Sequence, residues 1–153
     1  MRQKLSIFLV LLLSMSVSAR IGPINLEDLV ERSDLVVVVD VVEVQAPTEK
    51  ERVASFESIR VLTGSLQQGH QLYRGNRRIC AGPNYRPGRY LLFLGQEGGD
   101  FVAAHHAYSV FEVKNNKLDW FVEKNSPQRR ESTLEKAEAD IEEVLGKARS
   151  SRE

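Results

Sequence analysis

Apolar residues fall in two dense runs. Leu35 to Val44 is dominated by valine, with Val36-Val37-Val38-Val39 and Val41-Val42 broken only by Asp40 and then Glu43. Such β-branched side chains favour a pleated strand over a helix. The pattern predicts a strand buried on both faces at first and on one face later. Tyr90 to Leu94 is almost wholly apolar and predicts a short central strand. Between them, Val53 to Leu62 alternates, but its phase shifts between Phe56 and Ile59, as expected of a bulge or sharp coil in a closed sheet. Ala46 to Lys50 is the expected hairpin loop, Thr63-Gly64-Ser65 a turn, and Gln71 to Arg74 a weaker third strand. Residues 75 to 88, rich in Gly, Pro, Asn and Arg, predict a loop. Gly98-Gly99-Asp100 predicts a tight hairpin into Phe101 to Ala104. Val110 to Val113 follows, Asn115-Asn116 turns the chain, and Leu118, Trp120 and Val122 alternate as a last strand.

Helical periodicity appears at the two ends. Asn25 to Arg32 predicts a short helix capped by Asn25, with Asp28 at the third position of a capping box. A polar linker from Lys124 to Arg130, containing Pro127, leads to a closing helix. Ser132 is its expected cap, Glu135 completes the box, Leu134, Ala137, Ile141, Val144 and Leu145 form one stripe, and Gly146 ends it. Residues 1–19 read as a cleaved signal peptide: Arg2 and Lys4, an apolar stretch from Leu5 to Leu13, then Val17-Ser18-Ala19. That stretch is far short of the roughly 20 residues that span a bilayer. The expectation is a secreted or periplasmic protein that does not span the membrane, with residues 20–149 as one domain and 150–153 as a disordered tail.

Six or seven short strands with an early long hairpin and a terminal helix suggest a mainly β, OB-like barrel of about six strands, with a short N-terminal and a C-terminal helix. Ser33-Asp34-Leu35-Val36-Val37-Val38, Glu57-Ser58-Ile59-Arg60-Val61-Leu62-Thr63-Gly64 and Pro87-Gly88-Arg89-Tyr90-Leu91-Leu92-Phe93 resemble bacterial exported proteins of the netrin-like fold. That is the OB-type barrel of the tissue inhibitors of metalloproteinases, and the resemblance covers roughly residues 25 to 145. In those inhibitors, the resemblance implies, an N-terminal cysteine's amine and carbonyl sit on the protease's zinc. Here the predicted mature N-terminus is Arg20-Ile21-Gly22-Pro23, without cysteine, so the inhibitory residues do not carry over. Inhibition of a secreted or periplasmic protease stands as the alternative function.

Charge changes the picture more than composition does. The chain is formally neutral. Loss of Arg2 and Lys4 leaves 19 bases against 21 acids, a net of −2, unlike the strongly basic domains that bind nucleic acid. Export also speaks against nucleic acid. Yet the 39 residues between Glu57 and Glu97 contain no acid and six arginines: Arg60, Arg74, Arg77, Arg78, Arg86 and Arg89. Arg74, Arg77, Arg78, Arg86 and Arg89 are interleaved with Tyr73, Tyr85 and Tyr90. Guanidinium forks grip carboxylate, sulfate or phosphate, and aromatic rings stack on sugars or arginines. The expected binding residues are Arg74, Arg77, Arg78, Arg86, Arg89, Tyr73 and Tyr85, and the expected partner is an acidic protein or an anionic polysaccharide. The competing account pairs these arginines with the acidic last helix. Against it, Glu135, Glu138 and Glu142 lie opposite the apolar stripe and should face water.

Cys80, the only cysteine, rules out an intramolecular disulfide. It is a buried thiol, a site for a Cys80-linked homodimer, or a nucleophile activated by Arg77 and Arg78. His105 and His106 are adjacent, so on a strand they point to opposite faces and do not join in one metal site. The expectation is a non-enzymatic binding module with no catalytic residue, metal or cofactor; a cysteine- or metal-dependent enzyme is the third reading.

Overall fold

The computed structural model describes residues 22–48, 51–66, 71–76, 85–97 and 100–151, with the backbone alone for 46–48, 51–52, 71–76 and 100. The predicted signal peptide, Arg77, Arg78, Cys80 and His70 lie outside the described residues. The described residues are mainly β with two α-helices: α1 (Leu26–Glu31), β1 (Leu35–Thr48), β2 (Glu51–Thr63), β3 (Gln71–Asn76), β4 (Gly88–Glu97), β5 (Asp100–Ala103), β6 (Val110–Val113), β7 (Lys117–Phe121), β8 (Arg129–Thr133) and α2 (Leu134–Ser150). Strands β1 to β6 form one sheet in the order β1-β2-β3-β5-β4-β6, with an added β1–β4 pairing, and β7 pairs with β8 separately. Of the expected barrel, what stands is this mainly β class with two helices; the described sheet is not a closed barrel.

The two dense apolar runs are adjacent strands. Leu35 to Val41 of β1 lie opposite Leu94 to Gly88 of β4, and both strands are covered on both faces. Val36, Val38, Leu91 and Phe93 pack on one side with α1, α2 and Trp120. Val37, Val39, Val41, Tyr90, Leu92 and Leu94 pack on the other with Ala54, Phe56 and Tyr85. A strand with two buried faces has no polar phase, hence its unbroken hydrophobicity. Past Val41 the cover ends: Val42 is an extra residue in the β1–β2 register and is exposed. A second extra residue is Ile59, between the pairs Ser58–Val39 and Arg60–Val38, so the phase shift foreseen there is a bulge.

Several boundaries differ from expectation. The first hairpin is longer, because β1 runs to Thr48 and pairs it with Glu51. The supposed linker from Lys124 to Arg130 overlaps a strand: Arg129–Thr133 pairs with Lys117–Phe121. Ser132 therefore sits within β8, and Thr133 caps α2, its hydroxyl accepting the Lys136 N–H at 3.3 Å. Gly146 does not end α2, which continues to Ser150, so residue 150 of the expected tail is helical. Asn25 caps α1 as expected, its side chain accepting the Asp28 N–H at 2.8 Å. The Leu26 and Glu27 N–H groups donate to the Lys124 carbonyl, tying α1 to the turn after β7.

Candidate functional site

The arginines of the acid-free stretch divide by whether the fold supplies them an acid. Arg60, on β2, reaches across to α2 and donates to Glu138 Oε2 at 2.6 Å. Glu138 is thereby drawn in to 13% side-chain exposure, so the expectation that it faces water does not hold. Glu135 bonds Asn116 Nδ2 at 2.6 Å, which together with its own backbone N–H holds its carboxyl below the usual range. Glu142 is exposed as expected.

Arg89 is also engaged. It lies opposite Asp40 across the β1–β4 pairing, and Asp40 lies opposite Glu57 on β2. The guanidinium makes a two-pronged contact, Nε to Oδ1 at 2.9 Å and Nη2 to Oδ2 at 3.0 Å. These hydrogen bonds from Arg89 hold the Asp40 carboxyl below its ordinary value, with partial burial opposing. Arg89 is therefore a cross-strand tie, not an unengaged binding group. The sequence pattern missed this because Asp40 is 49 residues away in the chain.

Arg86 differs. Its side chain is exposed and has no ion-pair partner among the described residues; its backbone N–H donates to the Tyr90 hydroxyl at 3.1 Å. Tyr85 does not form a surface stacking platform. It is buried, edge-on to Tyr90 with ring centroids 5.8 Å apart. The phenol that was expected to meet a ligand instead roofs the second core. Tyr73 and Arg74 are placed by backbone only: Tyr73 lies opposite Ala54 and Phe101, and Arg74 opposite Val53. The stretch holding Arg77, Arg78 and Cys80 departs from Asn76, which pairs with Glu51 near the tip of the first hairpin. It rejoins the described chain at Tyr85, just before β4.

His105 and His106 are not on a strand. They sit at the start of a 3₁₀ turn, His106 with φ 50°, and His105 Nε2 lies 2.9 Å from the Gly22 carbonyl. Among the described residues, no three His, Cys, Asp or Glu side chains come together as a metal site.

The remaining charges around α2 compensate one another. Lys124 Nζ bonds Glu143 at 2.7 Å, Lys147 bonds the same carboxylate at 2.9 Å, and Lys136 holds Asp140 at 3.0 Å. An open groove of about 740 Å³ beside this network sets Glu27 and Glu31 of α1 against Lys147 and Arg149 of α2, so it carries no single-sign field. Lys124, and then Lys147, pull the Glu143 carboxyl down to about 2. A lowered folded-state value stabilises above the unfolded value and is lost as pH falls. Carboxyl NMR titration is expected to place the Glu143 midpoint near 2, so this contribution fades between about pH 4.5 and 2. A midpoint at the ordinary 4.5 would show the lysine contacts to be absent in solution.

Arg129, expected in the linker, opens β8 with its guanidinium over the rings of Phe111 and Phe121. Arg-Arg-Glu-Ser-Thr has no apolar alternation; the only hint of a strand was the regular Leu118–Trp120 alternation, which needs a partner.

Comparison with protein-family models, with curated proteins and with solved structures gave no match to this chain.

Proposed function

We propose that the chain is an exported, non-enzymatic binding module that recognises an acidic protein or an anionic polysaccharide through the arginine-rich loop between β3 and β4. The scaffold proposed for it is an OB-like, netrin-like barrel. Support for that scaffold comes from the strand order β1-β2-β3-β5-β4 with the added β1–β4 pairing, although β3 and β5 meet only at Tyr73–Phe101 and the sheet is not closed. OB-type barrels bind oligosaccharides and oligonucleotides on one face and its adjoining loops.

The observation that carries the functional reading is the sorting of arginines. In a stretch without acids, two of the three arginines that lie on strands take acids from elsewhere in the fold, Arg60 from α2 and Arg89 from β1. Arg86, next to the loop, is exposed and takes none among the described residues. Arg74, Arg77 and Arg78 belong to the same acid-free stretch. Such a patch draws an anionic partner by long-range attraction that salt screens over about 8–10 Å. The mature protein is expected to be retained at low salt on a heparin-type or an acidic-protein column and released as salt rises. Passage through both columns at low salt would end the proposal.

A further inference from the structure

We infer that the groove between α1 and α2 is a self-association surface, and that its occupant is the same groove of a second copy of this chain. It is separate from the arginine-rich loop and independent of its reading. Eleven residues line the groove, which holds about 740 Å³. Val30 and Val144 form its buried floor, while half-buried Leu145 and exposed Ala148 reach its mouth. The two walls differ in sign: Glu27 and Glu31 stand on α1, Lys147 and Arg149 on α2.

All four charged side chains are exposed, but they are not equally engaged. Lys147 bonds Glu143 at 2.9 Å, and Glu27 lies in the field of Lys124. Glu31 and Arg149 have no ion-pair partner among the described residues. One unengaged acid therefore stands on one wall and one unengaged base on the other.

The occupant's chemistry follows from this division. A ligand of one sign gains at one wall and loses at the other, so neither a simple anion nor a simple cation is favoured. A fitting partner carries an acidic ridge and a basic ridge in the reverse order, with apolar surface between them. A second copy offers this by symmetry alone. With a two-fold axis running along the groove, each acidic wall meets the basic wall of the other copy, and the apolar mouths meet between. An axis running across the groove sets acid on acid and base on base, so charge selects the first arrangement. The contact is isologous and closes as a dimer. Eleven residues a side fall short of the roughly 20–30 of a stable interface. The dimer is therefore weak, and its rim charges make it sensitive to salt.

Sedimentation equilibrium of the mature protein over a salt series tests this, with reductant present to exclude a disulfide through Cys80. The wild type is expected to dimerise reversibly at low salt and to dissociate as salt rises. Glu31→Lys and Arg149→Glu each set like charges across the interface and should weaken association at least about tenfold. An equal mixture of the two variants should recover it as a heterodimer, because the reversed α1 wall of one then faces the reversed α2 wall of the other. A variant that merely fails to fold cannot give that recovery. The chain carrying both reversals should likewise dimerise with itself. A wild type that stays monomeric up to about 1 mM leaves the groove to a partner of other sequence and overturns the inference. Self-association that both reversals leave unchanged, association that reductant abolishes, or a mixture without recovery overturns it equally.

Discussion

Replacing Trp120 with alanine is expected to lower unfolding free energy by about 3–5 kcal/mol, the range for deleting a large buried aromatic. The indole is fully buried and sits where three layers meet. Its ring centroid lies 5.1 Å from that of Phe111, 5.2 Å from Phe121 and 6.3 Å from Phe93. Phe93 belongs to the six-stranded sheet and Phe121 to the two-stranded one, so the indole is the packing link between them. Its Nε1 donates to Asp140 Oδ2 at 3.0 Å, which adds α2 to the junction. Asp140 keeps Lys136 when the indole goes, so the loss is mainly of packing and not of an orphaned charge. Trp120→Phe, which retains much of the ring volume, should cost about 1–2 kcal/mol, the scale of one hydrogen bond plus imperfect repacking. Urea unfolding measures both. A Trp120→Ala loss below about 1 kcal/mol would mean that the helices and the second sheet are not cooperatively joined to the first.

Gly64→Ala is expected to destabilise by about 2–4 kcal/mol, combining positive-φ strain with a backbone clash. Gly64 ends the turn after β2 with φ 86°. A Cβ there would stand 2.3 Å from the Asp34 carbonyl oxygen and 3.0 Å from Leu35 Cα. Both are backbone atoms at the entrance to β1, so no side chain can swing aside. Asp34 cannot retreat without loss, since its N–H donates to Leu94 O at 2.8 Å and its carboxylate accepts the Gln96 N–H at 2.9 Å. Gly146→Ala is the internal control: inside α2, with nothing within 4 Å of the new Cβ, it should stabilise by about 0.5–1 kcal/mol. Opposite signs from the same chemical change are the expected result; equal small effects would contradict the geometry at Gly64.

Local order was legible wherever one physical cause acted alone. The valine run and Tyr90–Leu94 announced strands covered on both faces, Asn25 announced a cap, and the lost phase near Ile59 announced a bulge. The misreadings occurred where distant contacts decide. β8 is polar because its partner β7 supplies the apolar residues of that hairpin, so Arg129 looked like linker. Gly146 is a weak helix former, but the buried Ile141 and Val144 hold the helix against the core on its N-terminal side. Tyr85 resembled a surface aromatic because it lies among turn residues, while its ring turns inward onto Tyr90. Among the arginines of the acid-free stretch, the pairings of Arg89 with Asp40 and of Arg60 with Glu138 could not be read from a charge count. They join positions 49 and 78 residues apart.

These pairings sharpen the functional claim into a contrast between two kinds of arginine, and one measurement addresses it directly. Arg77→Glu/Arg78→Glu and Arg86→Glu are to be compared with Arg60→Glu and Arg89→Glu. Each is scored for affinity to a fixed anionic partner, such as heparin, over a salt series, and for melting temperature. The account predicts that the loop reversals weaken binding at least about tenfold at low salt and flatten its salt dependence at unchanged melting temperature. Reversal at Arg60 or Arg89 should instead place like charges against Glu138 or Asp40 and lower the melting temperature while leaving the salt dependence near that of wild type. Wild-type affinity in the Arg77→Glu/Arg78→Glu protein, or an equal loss from the strand reversals without loss of stability, would contradict it.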